Sequence, residues 1–368
     1  MGGGSIAPGR QRRQTPCYPA VARMSTRALL LILFAALAAA CGGGSTGPTD
    51  PGTPPPPPSS PVNGFVYYDE NGNGVADPSE VVRLPSVGVT VGGASASTQA
   101  GGRFSLSVPN GAQTAQASAT TLPAYFAPGS AQAVTVPASG DVAVPAVLAL
   151  GPRARPNVYL GFGDSITWGQ ASSDGSGYRD WLRNDLRAFW GKADVALDGD
   201  PGTKSNKGES RLGRSLNTYR PAYLLILYGT NDWNDAECRD EFPCYTIDAL
   251  RSMVLQARDA GAFPVVGTIP PVNPSYTDRD PATRNDWVKR MNDQIRSMAK
   301  QERAAVAEIH GDFLKQASLP ALFGDYLHPN DAGFQVMAKS FFDAITKPLS
   351  TSAARRPPGA LFTFPGHP

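Results

Sequence analysis

Four short, largely apolar runs recur along residues 155–348. The runs are Asn157–Gly163, Ala222–Tyr228, Phe263–Ile269 and Ala304–Ile309. Continuous apolar runs of this length are typical of parallel strands that are buried on both faces. Apolar residues at helical spacing lie between or after these runs, over Tyr178–Trp190, Ile247–Ala260, Thr283–Gln301 and Asn330–Ile345. This alternation predicts an α/β domain with a doubly wound parallel sheet over residues 155–348.

A second unit is predicted at residues 62–150, which are poor in helix formers and rich in Val, Thr, Ser, Gly and Pro. Runs of alternating character lie within it at Gly64–Tyr68, Val87–Val91 and Arg103–Val108. Short alternating strands separated by turn residues predict a small antiparallel β-sandwich. The α/β domain is therefore expected to follow an N-terminal β-sandwich domain.

The first turn of this β-unit carries the spacing of a calcium-binding loop. Its residues with side-chain oxygens, and the glycine at the sharp turn, are Asp69, Asn71, Asn73, Gly74, Asp77 and Glu80. The Asp-x-Asn-x-Asn-Gly pattern with a later Glu is that of EF-hand loops, although the flanks here are predicted strands. The pattern predicts one structural calcium ion, and the alternative is a solvated Asn-Gly turn without an ion. The unit resembles the B-type repeats of bacterial surface adhesins.

The beginning of the chain predicts export and attachment to a membrane. Arg27 precedes the apolar run Ala28–Ala40, which is too short to span a bilayer but suits the core of a signal peptide. Three alanines followed by Cys41 resemble a bacterial lipoprotein processing site, so residues 1–40 are predicted to be a leader, with Met24 as a candidate true start. We expect a lipid on Cys41 to hold the protein on the bacterial cell envelope, outside the cytoplasm. A simple secretory signal with an incidental cysteine is the alternative.

Residues 41–61 predict a tether, because they are rich in Gly, Ser, Thr and Pro and include Pro54–Pro58. Residues 349–368 are predicted to be a disordered tail. Cys238 and Cys244 are spaced for a small disulfide loop in an oxidising compartment, and no histidine lies near them to favour a metal site. The formal net charge of +2 argues against nucleic acid as a partner.

Four polar blocks contain the residues that nucleophilic catalysis requires. In chain order they are Gly163-Asp164-Ser165, Gly199-Asp200-Pro201-Gly202, Gly229-Thr230-Asn231-Asp232 and Asp325-Tyr326-Leu327-His328. They supply a serine, a glycine N–H, an asparagine amide and a carboxylate three residues before a histidine. Of the three histidines, only His328 has such a carboxylate, since His310 lacks one and His367 lies in the tail. A serine hydroxyl becomes a strong nucleophile only when a neutral imidazole accepts its proton.

At these blocks, over about residues 155–348, the chain resembles the SGNH (GDSL-type) serine hydrolases. The resemblance implies a flavodoxin-like sheet and cleavage of carboxylic esters through an acyl-enzyme, without a cofactor for catalysis. It implies that Ser165 is the nucleophile, His328 the general base and Asp325 the acid that orients it. It also implies an oxyanion hole formed by the backbone N–H groups of Ser165 and Gly202 and the side-chain amide of Asn231. One departure is Leu197, where the family often has asparagine.

Two classes of function are consistent with this sequence. The first is a lipid-anchored esterase that acts on a small-molecule or polysaccharide ester, with short acyl groups such as acetyl on carbohydrate as the leading substrate. Trp168 and Trp233 follow two of the blocks and could stack on sugar rings or pack an acyl chain. Hydrolysis of lysophospholipids or thioesters is the alternative within that class. The second class is a surface adhesion protein with a relic hydrolase domain, which the complete set of residues disfavours.

Overall fold

The computed structural model describes residues 57–349. Within this range the chain forms two four-stranded sheets, followed by a five-stranded sheet with helices around it. The predicted leader, Cys41, the proline run and the predicted tail beyond residue 349 lie outside the described residues. In the part of the chain that is described, no helix is long and apolar enough to cross a membrane.

The N-terminal region is a pair of sheets with a shared apolar core. Its strands are β1 (Ser59–Tyr68), β2 (Gly88–Val91), β3 (Ala94–Ser97), β4 (Arg103–Pro109), β5 (Gly111–Ala117), β6 (Phe126–Pro128), β7 (Gln132–Val136) and β8 (Val142–Leu148). One sheet has the order β4-β1-β8-β6 and the other β3-β2-β5-β7. Val62 and Val66 of the first sheet and Val89 and Val91 of the second are buried in one apolar cluster. The predicted β-rich region with antiparallel sheets is therefore present.

One pairing in this region differs from a purely antiparallel arrangement. β1 pairs with β8 in parallel, with Val66 opposite Val144, whereas the other pairs of the two sheets are antiparallel. Alternation of apolar and polar residues shows which face of a strand is buried and says nothing of its direction. The parallel pair therefore left no signal in the sequence.

The C-terminal region is a parallel sheet with helices between its strands. Its elements are β9 (Arg155–Gly163), α1 (Ser165–Trp168), α2 (Arg179–Trp190), β10 (Asp194–Gly199), α3 (Ser205–Tyr219), β11 (Pro221–Leu227), α4 (Ala236–Asp240), α5 (Thr246–Asp259), β12 (Phe263–Gly267), α6 (Pro281–Gln301), β13 (Ala305–Ala307), α7 (Ile309–Leu314) and α8 (Asp331–Thr346). All pairs are parallel, in the order β10-β9-β11-β12-β13. This is the flavodoxin-like order, so the predicted fold class is confirmed.

The central strands β9 and β11 are buried on both faces, as their continuous apolar runs predict. Leu160 and Leu224 face one apolar cluster, and Tyr159 and Tyr223 face the other. Neither β10 nor α3 was predicted as an element. β10 contains two aspartates, and α3 buries only a narrow apolar face that includes Leu212 and Leu216.

A single tyrosine of the N-terminal region links two strands of the parallel sheet. The Tyr125 hydroxyl donates to the carbonyl of Pro264 in β12 (2.5 Å) and accepts from the N–H of Ala305 in β13 (2.8 Å). Its ring stacks on Phe263, with the ring centroids 4.6 Å apart. These contacts lie at the amino ends of the strands. Tyr125 therefore bonds one backbone group of each of these two neighbouring strands.

We expect Tyr125→Phe to lower the free energy of unfolding by about 1–3 kcal/mol, because a buried backbone donor loses its partner. Urea denaturation of residues 57–349 measures this loss. Tyr219→Phe is the matched control, since Tyr219 is the last residue of α3 and is only half-buried. Equal stability of the two variants would contradict the bridging role of Tyr125.

Candidate active site

The four polar blocks lie at or beyond the carboxyl ends of the parallel strands, where open α/β sheets bind their ligands. Ser165 directly follows β9 and Asp164, and it is the first residue of the short helix α1. The Asp164 carboxylate caps this helix by accepting the Ile166 N–H at 2.9 Å. The Ser165 backbone is therefore fixed by a strand on one side and a capped turn on the other.

The structure brings the predicted serine, histidine and aspartate into one chain of hydrogen bonds. His328 Nε2 lies 2.9 Å from Ser165 Oγ, and His328 Nδ1 lies 2.7 Å from Asp325 Oδ2. The second Asp325 oxygen accepts the N–H groups of Leu327 and His328, each at 2.7 Å. With the Nδ1 proton directed at Asp325, His328 Nε2 is free to accept the serine proton.

The environment keeps Asp325 ionised. Partial burial raises the pKa of its carboxyl, but hydrogen bonds from the backbone and imidazole of His328 and from the Leu327 N–H outweigh that effect and lower the pKa below its ordinary value. An ionised carboxylate beside Nδ1 favours the tautomer that accepts at Nε2 and stabilises the imidazolium that forms.

The blocks that contain Asn231 and Gly202 lie against each other. Asn231 Nδ2 donates to Asp164 Oδ2 (3.2 Å) and to the Thr203 carbonyl (3.1 Å), so both of its hydrogens have acceptors. Gly202 precedes Thr203 in an exposed turn with a positive φ of 77°. The Asn231 amide is therefore held in place. To donate to a substrate oxygen, it must share one of these two hydrogens between its present acceptor and the substrate.

Residues 162–336 match the model of the GDSL-like Lipase/Acylhydrolase family. This part of the chain is a GDSL-like lipase/acylhydrolase domain. The domain is accordingly a serine hydrolase that acts on ester bonds, and the predicted recognition is confirmed. The resemblance of the N-terminal region to adhesin repeats stays a prediction.

Similar solved structures include hydrolases of the same kind. The lipase/acylhydrolase from Enterococcus faecalis is 20% identical, covers 52% of this chain and 95% of its own, and has a TM-score of 0.44. The acetylxylan esterase from Geobacillus stearothermophilus is 19% identical, covers 53% and 96%, and scores 0.43. A GDSL-like lipase from Bacteroides thetaiotaomicron is 19% identical, covers 51% and 87%, and scores 0.42. Likeness of this degree carries no information on substrate. No curated protein matches the chain.

Two buried carboxylates, Asp164 and Asp232, accept hydrogen bonds from the segments that form the active site. Burial raises the pKa of Asp164, the Ile166 N–H lowers it and neighbouring Asp232 raises it, with the net result that the pKa is raised to about 7. Asp232 accepts hydrogen bonds from the N–H and hydroxyl of Ser205 and from the Thr246 hydroxyl. Asp164 thus fixes the serine turn and the Asn231 amide, while Asp232 fixes the start of α3.

Arg284 of α6 links the segment of Asn231 to the segment of Asp325, and no sequence pattern pointed to this role. Its guanidinium is buried and donates to the Thr230 carbonyl at 2.6 Å, next to Asn231. It also lies over the ring of Tyr326, 5.5 Å from the centroid, next to Asp325. From sequence alone, an arginine on a helix of mixed polarity is expected to be exposed to solvent.

The two tryptophans proposed as substrate contacts differ in their surroundings. The side chain of Trp168, at the end of α1, is 60% exposed. Trp233 is partly buried and packs edge-on against buried Trp287, with the centroids 5.8 Å apart. Trp168 is therefore the aromatic face that solvent reaches beside the nucleophile.

The disulfide predicted from sequence is formed between Cys238 and Cys244, with their Cα atoms 4.9 Å apart. It closes the segment that follows Asn231, and the Trp287 indole N–H donates to the Cys238 carbonyl at 2.8 Å. The Cys244 sulfur lies 3.1 Å from the Thr246 hydroxyl, which in turn donates to Asp232. The disulfide therefore restrains the loop that follows Asn231.

The predicted calcium loop is closed by its own hydrogen bonds. Asp69 accepts the N–H groups of Gly72, Asn73 and Gly74, and Glu80 accepts those of Glu70, Asn71 and Asp77. The side-chain amides of Asn71 and Asn73 both donate to Asp77 Oδ2, at 2.7 and 3.0 Å. Over residues 57–349, no group of three or more His, Cys, Asp or Glu side chains is placed to hold a metal ion. In this arrangement the carboxylate oxygens of Asp69, Asp77 and Glu80 accept hydrogen bonds from N–H groups of the loop.

The raised pKa of Asp164 predicts a pH dependence of stability. Between its unfolded pKa of about 3.9 and its folded pKa of about 7, the native state holds a proton that the unfolded state has lost. The free energy of unfolding should therefore fall as the pH rises through this window. Asp164→Asn should flatten that fall, as measured by urea denaturation at pH 4, 5.5 and 7. Identical pH profiles for the variant and the wild type would rule out this source of destabilisation.

Proposed function

We propose that this protein is an extracytoplasmic, lipid-anchored esterase that cleaves short acyl groups, such as acetyl, from carbohydrate by way of a serine acyl-enzyme. The observation that supports this most strongly is the hydrogen-bonded chain Ser165–His328–Asp325. Ser165 comes from the first polar block of the family-matched domain, and His328 and Asp325 come from the last. Together the three have the geometry of a nucleophile, a base and an orienting acid.

The proposed reaction has two halves. Ser165 Oγ attacks the ester carbonyl carbon while His328 Nε2 takes its proton, and Asp325 stabilises the imidazolium. The imidazolium then protonates the leaving alkoxide as the carbon–oxygen bond breaks, and the acyl group remains on Ser165. Water attacks this acyl-enzyme as His328 takes its proton. The bond between the acyl carbon and Ser165 Oγ then breaks, the imidazolium returns the proton to Oγ, and the carboxylic acid leaves.

We assign the stabilisation of the oxyanion to the backbone N–H groups of Ser165 and Gly202 and to the side-chain amide of Asn231. Asn231 already donates to the carboxylate of Asp164 and to a carbonyl. Negative charge on the substrate oxygen attracts one of these N–H groups more strongly than it was bound before, so the stabilisation grows as the charge develops.

The substrate class is inferred from the aromatic surface beside the nucleophile. Trp168 is exposed, and an exposed indole face can stack on a sugar ring. The competing substrates are lysophospholipids and thioesters, and a relic domain would cleave none of these. A panel of acetylated polysaccharides and nitrophenyl esters of increasing chain length tests the choice: preference for long chains would favour the lipid alternative.

Ser165→Ala and His328→Ala are each expected to lower kcat for p-nitrophenyl acetate by several orders of magnitude, with the double variant little worse, because residues that act as a unit are non-additive. Asn231→Ala should lower kcat about 10²–10³-fold, as for the loss of one oxyanion donor. Ser210→Ala is the control, since Ser210 is exposed on α3. Wild-type turnover in Ser165→Ala would refute the mechanism.

We also propose one structural calcium ion at Asp69, Asn71, Asn73, Asp77 and Glu80. The spacing of these residues supports it, because it brings their side-chain oxygens together in one short loop; at present the amides of Asn71 and Asn73 donate to Asp77. Binding requires these amides to rotate so that oxygen, rather than nitrogen, faces the ion. Millimolar calcium is then expected to raise the melting temperature above its value in EGTA, and Asp77→Ala to abolish that rise. A melting temperature indifferent to calcium would leave the loop an ion-free turn.

The proposed location rests on Cys41 and the leader that precedes it. A lipid on Cys41 would hold the enzyme on the cell envelope, and the segment with Pro54–Pro58 would add reach at ~3.1 Å per residue in a polyproline II helix. We expect the full chain made in a bacterial host to fractionate with membranes, and Cys41→Ser to appear in the soluble secreted fraction. Soluble secretion of both proteins with the same mature N-terminus would instead identify a simple exported enzyme.

A further inference from the structure

The guanidinium of Arg211, on α3, contacts three neighbouring strands at their carboxyl ends. Nη2 lies 2.8 Å from the carbonyl of Gly163, the last residue of β9, and 2.9 Å from the carbonyl of Asp198 in β10. Nη1 lies 2.6 Å from the Asp198 carboxylate. Nη2 and Nε lie 2.8 and 3.2 Å from the hydroxyl of Tyr228, which directly follows β11. The group is also stacked over Phe162, 4.1 Å from the ring centroid.

Each of these strand ends leads into one block of the active site. Gly163 is followed by Asp164 and Ser165, Asp198 precedes the turn of Gly202, and Tyr228 precedes the loop of Asn231. Arg211 itself belongs to the helix that begins just after the Gly202 turn. One side chain therefore joins the segments that contain the nucleophile and the proposed oxyanion donors.

The surroundings of Arg211 are built to hold it in one place. Gly208 lets α3 approach closely, because a Cβ atom there would lie 2.4 Å from the Tyr228 ring. The Ser215 hydroxyl donates to the second oxygen of the Asp198 carboxylate, so that both oxygens have partners. The Arg211 side chain is 22% exposed, which limits the competition of water for its hydrogen-bond partners. A planar guanidinium with several donors in a fixed geometry can satisfy such a set, whereas an ammonium cannot.

We propose that Arg211 is a positioning residue for ester hydrolysis: it fixes the three strand ends relative to one another so that Ser165, Gly202 and Asn231 converge on one carbonyl oxygen. This inference rests on the proposed function. Misplacement of reacting groups by about 1 Å can lower a rate about 10²-fold. Loss of the guanidinium should therefore act mainly on kcat.

The test compares Arg211→Met with Arg214→Met, a matched change of an exposed arginine on the same helix. Active sites are counted with a fluorophosphonate that labels reactive serines, and kcat and KM for p-nitrophenyl acetate are then measured per labelled site. Arg211→Met is expected to lose about 10–10²-fold in kcat with little change in KM, and Arg214→Met to behave as wild type. Arg211→Lys should fall between them, because it keeps the charge without the planar fork.

A chemical rescue separates positioning from mere support of the fold. Millimolar guanidinium added to Arg211→Ala should restore part of kcat, with no such effect on Arg214→Ala. If Arg211→Met shows fewer labelled sites, but each turns over at the wild-type rate, the inference is overturned. Should the Arg211 variants fail to fold, Tyr228→Phe removes one contact alone, and a wild-type kcat per site in that variant would overturn the inference as well. Activity in Ser165→Ala would instead refute the proposed function itself.

Discussion

The hydrogen bond between Ser165 and His328 is the contact on which the rest of the site depends, and it joins residues 163 positions apart in the chain. Neither residue can reach the other through local structure. The serine is presented by a buried central strand and a capped turn, and the histidine by a loop that Asp325 closes through two backbone N–H groups. The parallel sheet supplies the common edge at which these segments meet.

Buried polar side chains hold this edge together. Asp164 links the serine turn to Asn231, Asp232 links the start of α3 to α5, and Arg284 links the Thr230 carbonyl to Tyr326. Burying such groups is costly unless they are hydrogen-bonded, and when they are satisfied they favour one arrangement of the backbone. The raised pKa of Asp164 shows that this cost is not fully offset at that residue. Burial of Asp164 thus costs free energy of folding, while its hydrogen bonds fix the positions of Ser165 and Asn231.

How far the sequence predicted the structure depended on the kind of signal. The strands of Ala222–Tyr228 and Asn157–Gly163 were predictable because continuous apolar runs survive without tertiary information, and the two strands observed there end close to the predicted limits. The meeting of Ser165 with His328 followed from the family motifs. Arg211, Arg284 and Tyr125 could not be found, because an arginine or tyrosine is bonded to carbonyls that only the fold brings near. α3 was missed because its inner face is largely polar.

The N-terminal region and the active site contact opposite edges of the same sheet. Tyr125 bonds at the amino ends of β12 and β13, whereas Ser165 follows the carboxyl end of β9. The contacts of Tyr125 therefore lie at the opposite ends of the strands from the catalytic residues.

The most direct test of nucleophilic catalysis by Ser165 is to trap the acyl-enzyme. The protein is mixed with p-nitrophenyl acetate, quenched in acid within the first turnovers, digested and examined by mass spectrometry. If Ser165 is the nucleophile, one acetyl group is found on the peptide that contains Ser165, and it is absent from that peptide in Ser165→Ala. Rapid ester cleavage by the wild type without acetylation of Ser165, or with the acetyl group on another residue, would contradict this role of Ser165.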